Sequence, residues 1–163
     1  MLACILLTLF TSACFGAPVE EEPEDVNLPP YIAQQFVDPA EDVVLVESDD
    51  PLMLSVDVLL DPNEESQLYY AVIGDRSGLV EQATASRTPA QELYRNAFYQ
   101  FDGVDIEVDP CGERLADHDD EMIRLHVSDR PFERVTEAGV DLQDDAFLQT
   151  HQWVLRFQPH LCS

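Results

Sequence analysis

The segment Leu52-Met53-Leu54-Ser55-Val56-Asp57-Val58-Leu59-Leu60-Asp61 decides the fold class. Its even-numbered positions are all apolar, whereas its serine and both aspartates fall at odd-numbered positions. Side chains of an extended chain point alternately to opposite faces. This period of two therefore predicts a strand with one wholly apolar face, which another element must cover.

The same alternation recurs in four further segments, whose apolar positions are Leu68, Tyr70, Val72; Val104, Ile106, Val108; Ile123, Leu125, Val127; and Trp153, Leu155, Phe157. Segments 31–37 and 42–47 are weaker strand candidates, and turn residues such as Asp61-Pro62-Asn63 separate the strands. About seven short half-buried strands predict a mainly β, antiparallel sandwich of two sheets, because each apolar face must be buried against another.

One short helix is expected between the strands. Thr88 is a candidate N-cap, Pro89 suits the first helical position, and Gln91 completes a capping box. Leu93, Ala97 and Phe98 follow at helical spacing. The pattern predicts an inserted helix over about residues 89–99.

Three segments carry a resemblance to a known class of module. They are Leu28-Pro29-Pro30-Tyr31-Ile32, the strand 54–60 running into Asp61-Pro62-Asn63, and Leu125-His126-Val127-Ser128-Asp129. These segments look like parts of bacterial immunoglobulin-like domains, whose rhythm PKD-type and cadherin-like modules share. The resemblance implies an Ig-like β-sandwich over residues 31–163, outside the cytoplasm, used for spacing, adhesion or protein contact without catalysis.

The N-terminus is typical of an exported protein. Residues 2–10 form an apolar run that is far shorter than the roughly 20 residues needed to span a bilayer. The following Leu9-Phe10-Thr11-Ser12-Ala13-Cys14 resembles a bacterial lipobox, which implies a signal peptide over 1–13 and lipidation of Cys14. Phe15 after that cysteine implies sorting to the outer membrane of a Gram-negative bacterium, facing the periplasm or the cell surface. Ordinary signal-peptidase cleavage after Ala17 is the alternative.

Charge and composition define the next segment and the class of partner. Residues 14–30 combine proline with glutamate and aspartate, a composition that predicts a tether because it cannot build a core. The 33 acidic residues against 8 basic ones give a formal net charge of -25. This charge excludes nucleic acid as a partner. The expected partners are the membrane, through the lipid, and an unidentified envelope or extracellular protein.

Two of the cysteines remain for the exported domain. Cys4 lies in the predicted signal peptide and Cys14 is the predicted lipidation site, which leaves Cys111 and Cys162. An even pair outside the cytosol predicts a disulfide. A cysteine nucleophile or a metal pair is the alternative, although the two residues lack CxxC spacing and only His160 is a histidine neighbour.

The acidic residues suggest calcium as a candidate metal, with ligands at two places in the sequence. Asp61, Asn63 and Glu65 present oxygen ligands at alternate positions of a turn, and a second cluster consists of Asp117, Asp119, Asp120 and Glu121. Hard cations prefer such oxygen ligands. The first turn lacks the glycine and the distant glutamate of an EF-hand, so a solvated acidic surface is the competing interpretation.

No catalytic motif stands out in the sequence. The four histidines form no HExxH motif, and the chain contains neither a GxSxG elbow nor a Gly-rich phosphate loop. We therefore expect a protein that is not an enzyme and needs no cofactor. The expected function is a non-catalytic, lipid-anchored envelope protein acting as an interaction or structural module. A calcium-dependent adhesion or carbohydrate-binding module and an envelope hydrolase are the alternatives.

Overall fold

The computed structural model describes residues 27–64, 67–88 and 98–162, and strands dominate them. A short 3-10 turn, Gln34–Phe36, precedes the first strand. In chain order the strands are β1 (Val37–Asp38), β2 (Val43–Val46), β3 (Leu52–Asp61), β4 (Gln67–Gly74), β5 (Val80–Ser86), β6 (Tyr99–Val108), β7 (Asp120–Ser128), β8 (Phe132–Thr136), β9 (Gly139–Leu142) and β10 (Leu148–Phe157). Within these described ranges, no helix is long and apolar enough to cross a membrane.

The strands form two main sheets and one hairpin. The first sheet has the order β1-β3-β6, the second has the order β2-β10-β7-β4-β5, and β8 pairs with β9. The expectation of a mainly β sandwich is confirmed. The expectation of an entirely antiparallel sandwich is corrected, because β2 runs parallel to β10.

The core lies between the two sheets and contains the alternating residues that the sequence singled out. Leu54, Val56, Val104 and Ile106 face it from the first sheet, and the second sheet contributes Leu68, Val72, Ile123, Leu125, Val127, Trp153, Leu155 and Phe157. Trp153 is fully buried, and its indole Nε1 donates a hydrogen bond to the Pro39 carbonyl oxygen at 3.0 Å. The ring therefore packs in the core with its polar atom satisfied.

The alternation in β3 changes phase halfway along the strand, which the sequence pattern did not predict. Val56 faces the core, but the next core residue is Leu59 rather than Val58. The neighbouring strand changes phase at the same level, where Gly103 approaches the chain so closely that an added Cβ would lie 2.3 Å from the Val56 carbonyl oxygen. Glycine permits this close approach of the two backbones.

Several boundaries differ from those predicted. Segment 31–37 is not one strand: Tyr31 bridges Leu60, the 3-10 turn intervenes, and pairing resumes at Val37. Residues 89–97 of the predicted helix lie outside the described residues, whereas Tyr99, its predicted last residue, begins β6. The described residues hold ten strands rather than about seven. The extra strands are short or carry few apolar residues, so alternation gave no signal for them.

The two ends of the sandwich can be told apart by the contacts of the N-terminal residues. The Asn27 side chain donates a hydrogen bond to Asp129 after β7, and Asn63 after β3 binds both the backbone N–H and the carbonyl of Leu28. We call this the tether-side end. The opposite end, which we call the distal end, contains the β4–β5 turn 75–78, the loop 109–119 and the C-terminal residues 158–162.

Candidate functional site

The distal end is held together by a disulfide between the loop after β6 and the C-terminus. Cys111 and Cys162 are joined with an S–S distance of 2.06 Å and a Cα–Cα distance of 5.3 Å, so the predicted pairing is confirmed. The loop is also folded locally, because the Cys111 N–H donates to Asp109 Oδ1 at 3.0 Å. Leu115 is buried and anchors the loop to the core.

A buried carboxylate fixes the β4–β5 turn at the same end. Glu121 is 1% exposed, and its carboxylate accepts hydrogen bonds from the backbone N–H groups of Arg76 and Ser77 and from the Ser77 hydroxyl, at 3.0–3.3 Å. Gly74 leaves room for this carboxylate, because a Cβ added at Gly74 would lie only 2.6 Å from Glu121 Oε1. Arg76 in turn pairs with Asp120. Three donor groups thus make four contacts with one carboxylate, which holds the turn in place. We call this arrangement the Glu121 clamp.

A cleft of about 280 Å³ separates this turn from the Cys111 loop. Leu79, Val108 and Leu115 supply its apolar wall, while Glu107, Glu113 and Arg114 supply polar groups. The Arg114 side chain lies across Gly78, where an added Cβ would meet its Nη1 at 1.6 Å, and it pairs with Glu137 at 3.2 Å. An apolar floor with charged rims suits recognition of a side chain or short segment.

A second cleft, of about 270 Å³, lies on the other side of the Cys111 loop. Its wall includes Asp117, His118, Asp119 and His160 near the disulfide. Within the described parts of the chain, no group of three or more histidine, cysteine, aspartate or glutamate side chains is arranged to hold a metal ion. The two clefts thus flank the loop that the disulfide joins to the C-terminal residues.

The residues proposed for calcium are spread over both ends of the sandwich. At the tether-side end, Asp61 is buried and its Oδ1 accepts the Asn63 N–H at 2.6 Å, while both polar atoms of the Asn63 amide bind Leu28. Glu65 lies outside the described residues. The Asn63 oxygen is therefore already used in folding the chain.

At the distal end the aspartates of the second acidic cluster are exposed or half-buried, whereas Glu121 is buried. Asp117 and Asp119 lie in the loop, and Asp120 pairs with Arg76. The structure does not bring these residues together with those of the first turn. Calcium binding stays a prediction, which a calcium-dependent rise in melting temperature would test, because a ligand that prefers the folded state raises its stability.

Two histidines are shielded from solvent, because His126 is buried and His151 is half-buried. His126 is 7% exposed, and its Nδ1 lies 2.9 Å from the Thr150 hydroxyl. Burial lowers the pKa of His126, and the positive charge of Arg124 lowers it further. Burial also lowers the pKa of His151, whose ring meets Trp153 edge to face, although Asp42 opposes that shift. Neutral imidazoles are thus favoured at both positions.

Cys14, the predicted lipidation site, lies outside the described residues, as does the predicted signal peptide before it. Sequence reasoning placed Glu121 in the second acidic cluster, and it identified neither the contacts of Glu121 with the β4–β5 turn nor the distal clefts. The signal for Glu121 was present, because alternation in β7 places it on the apolar face with Ile123 and Leu125. The clefts had no such signal, because they form between segments far apart in sequence.

Comparison with protein-family models returns no match. A comparison with curated proteins likewise returns no significant match.

Proposed function

We propose that the chain is a non-catalytic, lipid-anchored cell-envelope protein whose Ig-like sandwich serves as an interaction or structural module. The lipid is attached at Cys14, and residues 14–30 connect it to the sandwich. The protein reaches the outer membrane of a Gram-negative bacterium. Its partner is an envelope or extracellular protein.

Strand order supports the Ig-like assignment. In immunoglobulin sandwiches, strands A, B and E share one sheet, while C, F and G share the other. The order β1-β3-β6 corresponds to A-B-E, and β10-β7-β4 corresponds to G-F-C. The disulfide differs from that of antibody domains, because it joins Cys111 to Cys162 instead of linking strands B and F across the core.

The interaction function is supported mainly by one observation: the N-terminal described residues and the two clefts lie at opposite ends of the sandwich. The N-terminal residues are fixed at the tether-side end by Asn27 and Leu28. The disulfide, the Glu121 clamp and both clefts lie at the distal end. A strand as long as β3 spans about 30 Å, so a tether at one end presents the clefts about that far from the point of attachment.

The first experiment is the intact mass of the mature protein extracted from membranes of a Gram-negative host, with and without reduction and alkylation. We expect a chain that begins at Cys14 and carries a diacyl or triacyl increment. The matched variant Cys14→Ser should lose the lipid and leave the membrane fraction. An unlipidated wild-type chain that begins elsewhere would contradict the anchor.

The second experiment tests the interaction itself. A photo-crosslinking residue at exposed Glu113, beside the distal cleft, should give discrete adducts in intact cells. The same residue at exposed Glu133, in the β8–β9 hairpin, is the matched control. Equal adduct patterns at the two positions would show that the distal end is not the contact surface.

A further inference from the structure

Strand β2 lies at the edge of the five-stranded sheet, and its outer side carries exposed apolar side chains. In the described part of the chain, β2 pairs only with β10. The Asp42 and Val46 carbonyls accept hydrogen bonds from Val154 and Gln158 on the β10 side. Because backbone groups alternate along a strand, the N–H and C=O groups of Val43 and Leu45 point to the opposite, open edge.

The side chains at the same two positions are also exposed. Val43 and Leu45 are 51% and 60% exposed, whereas Val46 is buried and Val44 packs against the core. Both exposed side chains lie on the outer face of the sheet, where they stand beside Val154 and Arg156 of β10. The edge thus offers unpaired backbone groups together with an apolar strip, which are the two features used in strand addition.

Carboxylates flank this edge on both sides. Glu41 and Asp42 precede β2, and Glu47, Asp49 and Asp50 follow it. Arg156 of β10 lies opposite Leu45 and is positively charged. The five acidic residues that flank β2 outnumber it. An added strand with basic residues at both ends would match this pattern of charge.

We propose that the outer edge of β2 binds an extended segment of a partner protein that has alternating apolar residues and basic residues at its ends. The segment adds to the five-stranded sheet beside Val43 and Leu45. This proposal rests on the interaction function above and adds a second contact surface to it. It uses a surface separate from the distal clefts.

Charge argues against the two other possible occupants. A second copy pairing β2 with β2 would bring the flanking carboxylates of both copies together, and each copy carries a formal net charge of -25. The acidic tether of this chain, with glutamates at 20–22 and 24, would meet the same repulsion. Its prolines also lack the N–H that a strand must donate.

The test uses the full mature chain from residue 14 with Cys14→Ser, which carries no lipid, and a synthetic nine-residue peptide of alternating valine and threonine between pairs of basic residues. Binding is measured by calorimetry at physiological salt. The control peptide has the same charge but proline in place of threonine. We expect the first peptide to bind about tenfold or more tightly than the control, because only the first can form a strand.

Two variants at one position separate backbone pairing from side-chain contact. Leu45→Pro removes an N–H that points away from β10, so the sheet should survive, and it should weaken binding about tenfold. Leu45→Thr keeps the N–H and a good strand former, and it should retain binding within about threefold. Near-ultraviolet circular dichroism of the buried Trp153 checks that both variants fold.

A second pair of variants tests the charge match. The double variant Glu41→Gln with Asp49→Asn removes two charges that flank β2 and should weaken peptide binding several-fold. The control double variant Glu133→Gln with Asp144→Asn removes two charges that do not flank β2 and should weaken binding less. Equal binding of the two peptides, or an unchanged affinity in Leu45→Pro, would overturn the proposal. A wild-type dimer that Leu45→Pro dissociates would assign the edge to a second copy instead. Lipidation at Cys14 is measured independently, so it can stand while this proposal fails.

Discussion

At the scale of single residues, the buried carboxylate of Glu121 stabilises the fold most directly. Replacing the buried carboxylate by an amide leaves the Arg76 and Ser77 N–H groups with a weaker acceptor at a position that is 1% exposed. Glu121→Gln should lower the free energy of unfolding by about 1–3 kcal/mol, measured by denaturant titration. Glu133→Gln, at an exposed position, should change it by less than about 0.5 kcal/mol. Equal effects of the two variants would mean that the clamp contributes nothing.

The pKa of His126 predicts a dependence of stability on pH. Burial and Arg124 lower the pKa of His126 in the folded state, so below about pH 6.5 the unfolded chain binds more protons at this position. The stabilisation is present above the unfolded pKa and is lost as pH falls towards the folded value. Wild-type protein should therefore lose more stability than His126→Gln between pH 7 and pH 5.5. Parallel curves for wild type and variant would contradict this, and His118→Gln, in the exposed loop, is the control.

At the scale of secondary structure, the phase change shared by β3 and β6 depends on Gly103. An added Cβ would lie 2.3 Å from the Val56 carbonyl oxygen and 2.4 Å from that of Asp57, so the two strands must separate. We expect Gly103→Ala to lower the free energy of unfolding by roughly 1–3 kcal/mol, as overpacking does. Asp105→Ala, an exposed position in the same strand, should have little effect. A neutral Gly103→Ala would show that the backbones move apart without cost.

At the scale of the whole molecule, the disulfide joins two segments with a sequence separation of 51 residues. Closing a loop of that length restricts the unfolded chain, and the loop-entropy model gives a stabilisation of about 4 kcal/mol. Cys111→Ser with Cys162→Ser should lower the melting temperature, and hydrogen exchange should rise most in loop 109–119. Exchange that rises instead at the tether-side end would mean that the disulfide does not hold the distal end.

The sequence by itself determined the fold class, the strongest strands and the cysteine pairing. Alternation identified β3, β4, β6, β7 and β10 because half-buried strands repeat every two residues, a local property that a linear pattern records. The pairing of Cys111 with Cys162 followed from counting the cysteines outside the signal, given export. Short strands such as β8 and β9 were missed, because few of their positions are fully buried.

Only the tertiary structure decided which residues meet. Four features each join segments that are far apart in the chain: the parallel pairing of β2 with β10, the phase change at Gly103, the contacts of Glu121 with the turn 75–78, and the disulfide. Such contacts depend on how two sheets stack, and a pattern of neighbouring residues does not record that geometry. The edge of β2 that is open in the described part of the chain became visible for the same reason, because an edge is defined by the strands that surround it.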